Sequence, residues 1–226
     1  MSRALWVSGL VALGVATGCV DDGVSLHIIC AAAPTISDNG CKWEANGEAC
    51  VADGVVNIAA ADSYRLNLIG ESGLKPRARD VPPQAEPNGM QITGAKVEIR
   101  LPDGSPLGFP AIPDAGLEGG TENPFSVAAS GYVLPGGKVV VPVTVLPGRY
   151  LAALGVRGVK QFLVAVQLVG KTNGNQTVES GEFIWPVRMI KQSPHEVDGE
   201  CIPGVTVCLS SIGQDGFAQA CVGSKP

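Results

Sequence analysis

The chain has 226 residues and a formal net charge of −5, from 16 Lys plus Arg against 21 Asp plus Glu. Charged residues make up 16% and apolar residues 45%, which excludes a disordered polyelectrolyte and a long coiled coil and leaves a chain that can form a core. The acidic balance and the lack of a basic run exclude a protein whose affinity rests on phosphate contacts, so no nucleic acid partner is expected.

Residues 1–18 open with Met-Ser-Arg, continue through an uncharged run from Ala4 to Val15, and end in Ala16-Thr17-Gly18 before Cys19. One positive charge followed by about 12 apolar residues is a signal h-region, too short for the roughly 20 residues that span a bilayer. The ending Ala16-Thr17-Gly18-Cys19 resembles the lipobox of bacterial lipoproteins. That resemblance implies cleavage before Cys19, which then carries a diacylglyceryl thioether and an amide-linked acyl chain, enough lipid for stable membrane attachment. Val20 stands where an Asp would favour retention in the inner membrane. The resemblance therefore implies anchoring in the outer membrane, with the domain facing the periplasm or the cell surface.

Six further cysteines fall in two clusters, Cys30, Cys41 and Cys50 near the mature start and Cys201, Cys208 and Cys221 near the end. An exported chain meets an oxidising compartment, so all six are expected in disulfides, and thiolate metal sites are not expected. Each cluster holds an odd number, so complete pairing requires one bridge or three between the two ends of the chain. Short loops favour Cys41 with Cys50 and Cys208 with Cys221, which leaves Cys30 with Cys201. In the chain-entropy description, a bridge closing more than 100 residues adds roughly 4 to 5 kcal/mol.

In chain order, residues 19–72 form a Cys-bearing N-terminal β segment in which Tyr64, Leu66 and Leu68 alternate with Arg65 and Asn67. Residues 73–89, with Pro76, Pro82, Pro83 and Pro87, are a linker or loop. Residues 90–190 are expected to form an antiparallel β-sandwich, immunoglobulin-like or related. There Val97, Ile99 and Leu101 alternate with Lys96, Glu98 and Arg100, and further strand-like runs cover 139–146, 150–154, 162–169 and 183–190. A Pro- and Gly-rich loop covers 101–124. Asp103-Gly104, Gly136-Gly137 and Pro147-Gly148 are turn dipeptides, and Asn173-Gly174 is a hairpin tip. Pro142 and Pro186, inside strand-like runs, mark edges or bulges. Residues 191–226 return to the N-terminal part through disulfides. The fold class is all-β.

Candidate chemistry is sparse. His27 sits in the apolar run Leu26-His27-Ile28-Ile29, where a hydrogen-bonded structural imidazole is expected. His195 lies among Ser193, Glu196, Asp198 and Glu200. A catalytic triad is normally assembled from distant segments, and the chain has no G-x-S-x-G to present a nucleophile. It has no H-E-x-x-H for zinc, and the carboxylates around His195 lack the spacing of known Ca²⁺ loops. Neither glycine-rich phosphate motif is present, and Asn175-Gln176-Thr177 reads as part of the hairpin tip. No catalysis, cofactor or metal is expected. The resulting expectation is a lipid-anchored accessory protein that engages an envelope protein or a second copy of itself. The alternative is a small-ligand or carbohydrate-binding lipoprotein, with Trp43, Tyr64 or Tyr132 lining a pocket.

Overall fold

The computed structural model describes residues 25–37, 40–46, 49–58, 61–76, 82, 86–111 and 122–191. The signal segment, Cys19, the three C-terminal cysteines and the residues around His195 lie outside them.

The chain runs through β1 (Leu26–Ala32), β2 (Thr35–Ser37), β3 (Gly40–Lys42), β4 (Cys50–Val51), β5 (Gly54–Asn57), β6 (Tyr64–Ser72), β7 (Met90–Arg100), β8 (Phe125–Val133), β9 (Lys138–Leu146), α1 (Gly148–Val156), β10 (Gln161–Thr172), β11 (Thr177–Glu179) and β12 (Phe183–Ile190). Strands β2 and β3 form a separate hairpin, and the other ten join one sheet in the order β4-β1-β6-β9-β8-β7-β10-β12-β5, with β11 also on β10. Strands from before and after residues 73–89 thus share one sheet. The ladders are antiparallel except between β12 and β5, which run parallel from Val187 opposite Gly54.

The alternating patterns act as expected except at Asn67, which is buried along with its apolar neighbours. Tyr64, Leu66 and Leu68 are fully buried with Arg65 exposed, and Val97 and Ile99 are fully buried with Lys96 exposed. Asn173 does lie in the tight connection between β10 and β11, where the Thr172 N–H donates to the Gln176 carbonyl and Asn175 takes the positive φ of 63°. Both prolines sit where a strand is sparsely paired on one side. Pro142 is on β9, which meets β8 only at Ala129 and Val143. Pro186 is on β12 just before the β5 ladder begins.

The architecture is antiparallel β, as expected, but the sheet wraps into a nearly closed barrel and is not clearly an immunoglobulin-like sandwich. Two corners produce the wrapping. At the first, the β7–β8 register shifts between Ile92 and Gly94, and Ala129 turns to meet Val143 of β9. At the second, β11 and β12 follow the same neighbour with a one-residue offset: Val169 pairs Glu179, whereas Val166 pairs Phe183. The kink between them exposes an edge on which Ser180 pairs in parallel with Leu26 at the start of β1. Bulged strands that change direction are the usual means of making such corners.

Residues 150–154 are not a strand. Helix α1 covers them and buries Tyr150, Leu151, Ala153 and Leu154, which lie on one helical face. Tyr150 stacks on Phe125 with centroids 4.1 Å apart and meets Phe109 edge-on at 5.1 Å. The helix and the 106–109 stretch therefore help close the barrel end where β7 finishes and β8 begins. The barrel interior is filled by these rings with Leu66, Leu68, Ile92, Val143, Phe162, Val164 and Trp185.

Candidate interaction seam

Among the described residues, the barrel stays open along one line. Beyond the Leu26–Ser180 bridge, the described residues show no further pairing between β1 and β12. The free side of β1 is next paired at Ala31, opposite Val51 of β4, and that of β12 at Val187, opposite Gly54 of β5. Strands β4 and β5 are the two ends of the sheet and do not pair with each other. Two of the large exposed apolar residues lie on the flanking strands, Ile29 and Ile184, each 41% exposed. Ile29 falls at the β1 bulge, where the register to β6 shifts between Ile28 and Cys30. An unpaired strand edge presents free N–H and C=O groups, and such edges recruit extended segments of other chains.

The bulge also decides the disulfide. It places Cys30 and Ala32 on the outer face of the sheet and Ala31 in the barrel core. Ala32 lies opposite Cys50, so Cys30, two residues away on the same face, is the diagonal neighbour of Cys50. These two form the bridge, with Cα atoms 5.8 Å apart. The expected pairs Cys41–Cys50 and Cys30–Cys201 are both overturned, because loop length favoured them while strand register selects the partner. Cys30, Ala32 and Ile69 form a small second apolar cluster outside the barrel, with Trp43 packed on it. The indole N–H of Trp43 is buried there without an acceptor.

Along the outer face of β7, Arg100 reaches across to the kink beyond β11. Its guanidinium grips both oxygens of Glu182, with Nη1 to Oε2 at 2.9 Å, while Nε donates to Glu98 at 2.7 Å. These carboxylates hold the guanidinium charged above its ordinary range. Lys96, two pleat repeats before Arg100, donates to Glu179 at 2.8 Å. The two ion pairs tie β7 to the segment that forms the second corner and so hold one lip of the seam. Arg188 extends the pattern to Asp53, 3.5 Å away, just before β5.

The aromatics expected around a ligand are scattered. Tyr64 is fully buried in the barrel core, Tyr132 is held at the far end of β8 by a hydrogen bond with the Asn173 amide at 3.0 Å, and Trp43 lies on the outside of β1 and β6. His27 is exposed on β1 opposite Glu71 instead of buried as a structural imidazole. Among the described residues, no three or more His, Cys, Asp or Glu side chains converge as a metal site. Ile29, Ile184 and the Arg100–Glu182 pair carried no sequence signal, since each depends on a bulge or kink. No protein-family model matches the chain, and no curated protein matches it in sequence.

Proposed function

We propose that this chain is a lipid-anchored protein of the outer membrane or cell surface, acting without catalysis as an accessory interaction module. The open β1–β12 seam carries the reading. It combines two strand edges with Ile29 and Ile184, and a partner segment adding to either edge gains main-chain hydrogen bonds while covering an apolar side chain. The leader supplies the membrane attachment, through acylated Cys19. The packed interior directs recognition to the surface. The sugar- or small-ligand-binding alternative draws no support, because Tyr64 is committed to the core and lies apart from Trp43 and Tyr132.

The test is gentle detergent extraction from the native host, purification without reduction, and mass spectrometry of the intact protein and its companions. The expected result is a mature chain that begins at acylated Cys19 and brings a stoichiometric partner, and the partner is lost in Ile29→Lys/Ile184→Lys with the fold intact. A mature mass without acyl chains would sink the anchor. A partner that survives the double substitution would sink the seam.

A further inference from the structure

We infer that the end of the barrel at which β1 begins is a bilayer-facing surface, where Lys75, Lys138 and Lys171, together with exposed Leu134, seat the domain on anionic lipid headgroups. This inference rests on the proposed acylation of Cys19.

Main-chain contacts gather these residues at one rim. The Gly73 N–H donates to the Ser25 carbonyl and the Ser72 N–H to the Gly137 carbonyl, both at 3.0 Å, which joins the start of β1 to the end of β6 and the β8–β9 turn. Next round the rim, Met90 at the start of β7 lies between Val133 at the end of β8 and Thr172 at the end of β10. The Lys75 carbonyl accepts the Asn88 side-chain amide at 2.8 Å, and the Asn173 N–H donates to the Gly89 carbonyl at 2.8 Å. The segments that carry Lys75 and Lys171 are thus fixed to the same rim.

The charge at this rim is one-sided. Lys75, Lys138 and Lys171 are exposed, and none joins an ion pair among the described residues. The acids described nearby offset them little, since Glu86 is buried, Glu71 is half-buried and Glu179 is bound to Lys96. The opposite end, beside α1, instead mixes exposed Asp62, Asp103 and Glu122 with Arg149, Arg157 and Lys160. Leu134, 42% exposed in the β8–β9 turn, adds an apolar side chain next to the lysines. The anchor selects the same end. Cys19 is six residues before Ser25, a tether of roughly 20 Å at about 3.3 Å each, whereas β7 runs about 33 Å along the barrel from Met90 to Arg100. The tether therefore brings this rim to the headgroups first, within range of an attraction that fades over about 10 Å. Each lysine near an anionic surface raises the preference for it roughly fivefold. The Leu26–Ser180 bridge closes the seam at this end, so the seating sets the opening at Ile29 and Ile184 back from the lipid.

The experiment reconstitutes the natively produced, full-length mature protein into vesicles of phosphatidylcholine alone or mixed with phosphatidylglycerol, floats them, and follows reductive dimethylation of each lysine by mass spectrometry. On the anionic vesicles Lys75, Lys138 and Lys171 should react roughly fivefold more slowly than in detergent, while Lys160 and Lys191, at the α1 end, keep their rates. High salt should abolish the protection without releasing the protein. Lys75→Gln/Lys138→Gln should still float and melt as the wild type does, but Lys171 should then react on anionic vesicles nearly as fast as in detergent. A protein that floats with all lysines equally reactive, or with protection that is the same on neutral vesicles, overturns the seating with the anchor intact. Protection of Lys160 and Lys191 instead would show that the α1 end faces the lipid, which also overturns it. A protein that does not float overturns the anchor and the seating together.

Discussion

The Trp185 indole N–H donates to the Tyr64 hydroxyl at 3.0 Å inside the barrel, joining β12 to β6 across 121 residues of sequence. Gly54 of β5 lies against the same pair. A methyl group there would overlap the Tyr64 hydroxyl and stand 2.6 Å from Trp185 Nε1 and 3.1 Å from Tyr64 Cζ. The hydrogen bond therefore explains why the edge strand carries a glycine opposite Val187.

Gly54→Ala should destabilise by about 1 to 3 kcal/mol, the usual range for overpacking. Tyr64→Phe removes the worst overlap, so Gly54→Ala should cost less in a chain that already carries Tyr64→Phe than in the wild type. Urea denaturation of the four proteins measures this coupling. Costs that simply add would show that the close approach is not what the glycine serves.

Asn123 replaces a strand neighbour with a side chain. Its Oδ1 accepts the Ile99 N–H at 2.8 Å, and its Nδ2 donates to the carbonyls of Ile99 at 2.7 Å and Leu107 at 2.8 Å. It thus pairs the last part of β7 before β8 begins. Asn123→Ala loses three bonds and should cost roughly 2 to 4 kcal/mol at about 1 kcal/mol each, with more where a main-chain group is left unmet. Asn123→Asp keeps the shape but points a carboxylate oxygen at two carbonyls, so at neutral pH it should melt no higher than the Ala variant. An Asp variant close to wild type would refute this role.

Much of the barrel wall was legible in the sequence because a half-buried strand repeats every two residues, as Tyr64-Leu66-Leu68 and Lys96 beside Val97 illustrate. Helix α1 was not, because Tyr150-Leu151-Ala152-Ala153-Leu154 is continuously apolar and fits either period; packing on Phe125 and Phe109 selects the helix. The disulfide partner was hidden by the β1 bulge, which reverses the faces of Cys30 and Ala31. Closure was hidden as well. It depends on Leu26 meeting Ser180, a parallel contact between the first and last parts of the sheet that no local pattern encodes.

The Cys30–Cys50 bridge closes a loop with a sequence separation of 20, for which the chain-entropy description gives roughly 3 kcal/mol. Cys30→Ala/Cys50→Ala should therefore lower the Tm by about 6 to 12 °C for a domain of this size. Part of the loss comes from the outer cluster, because β4 is tied to β1 through only two residue pairs besides the bridge. Scanning calorimetry of the oxidised protein and the double variant measures the shift. Equal melting temperatures would show that the short β4 pairing holds without covalent help.

Tyr150 gives the barrel a dependence on high pH. Its ring is fully buried and its hydroxyl donates to the Glu122 carbonyl at 2.6 Å. Burial pushes the phenol above its ordinary range, against the opposing pull of the Arg149 guanidinium. An unfolded tyrosine releases its proton near pH 10, so above that pH the unfolded chain has lost a proton that the native chain still holds. The contribution is complete below about pH 10 and falls as pH rises through the folded-state value. Tyr150→Phe should cost about 1 kcal/mol at pH 7 through the lost hydrogen bond, and should lose less stability than the wild type between about pH 9 and 11. The two unfolding curves should thus run parallel below pH 9 and converge above 10. Curves parallel throughout would mean that Tyr150 ionises as readily folded as unfolded, and that the packing of α1 over Phe125 does not seal this end of the barrel from water.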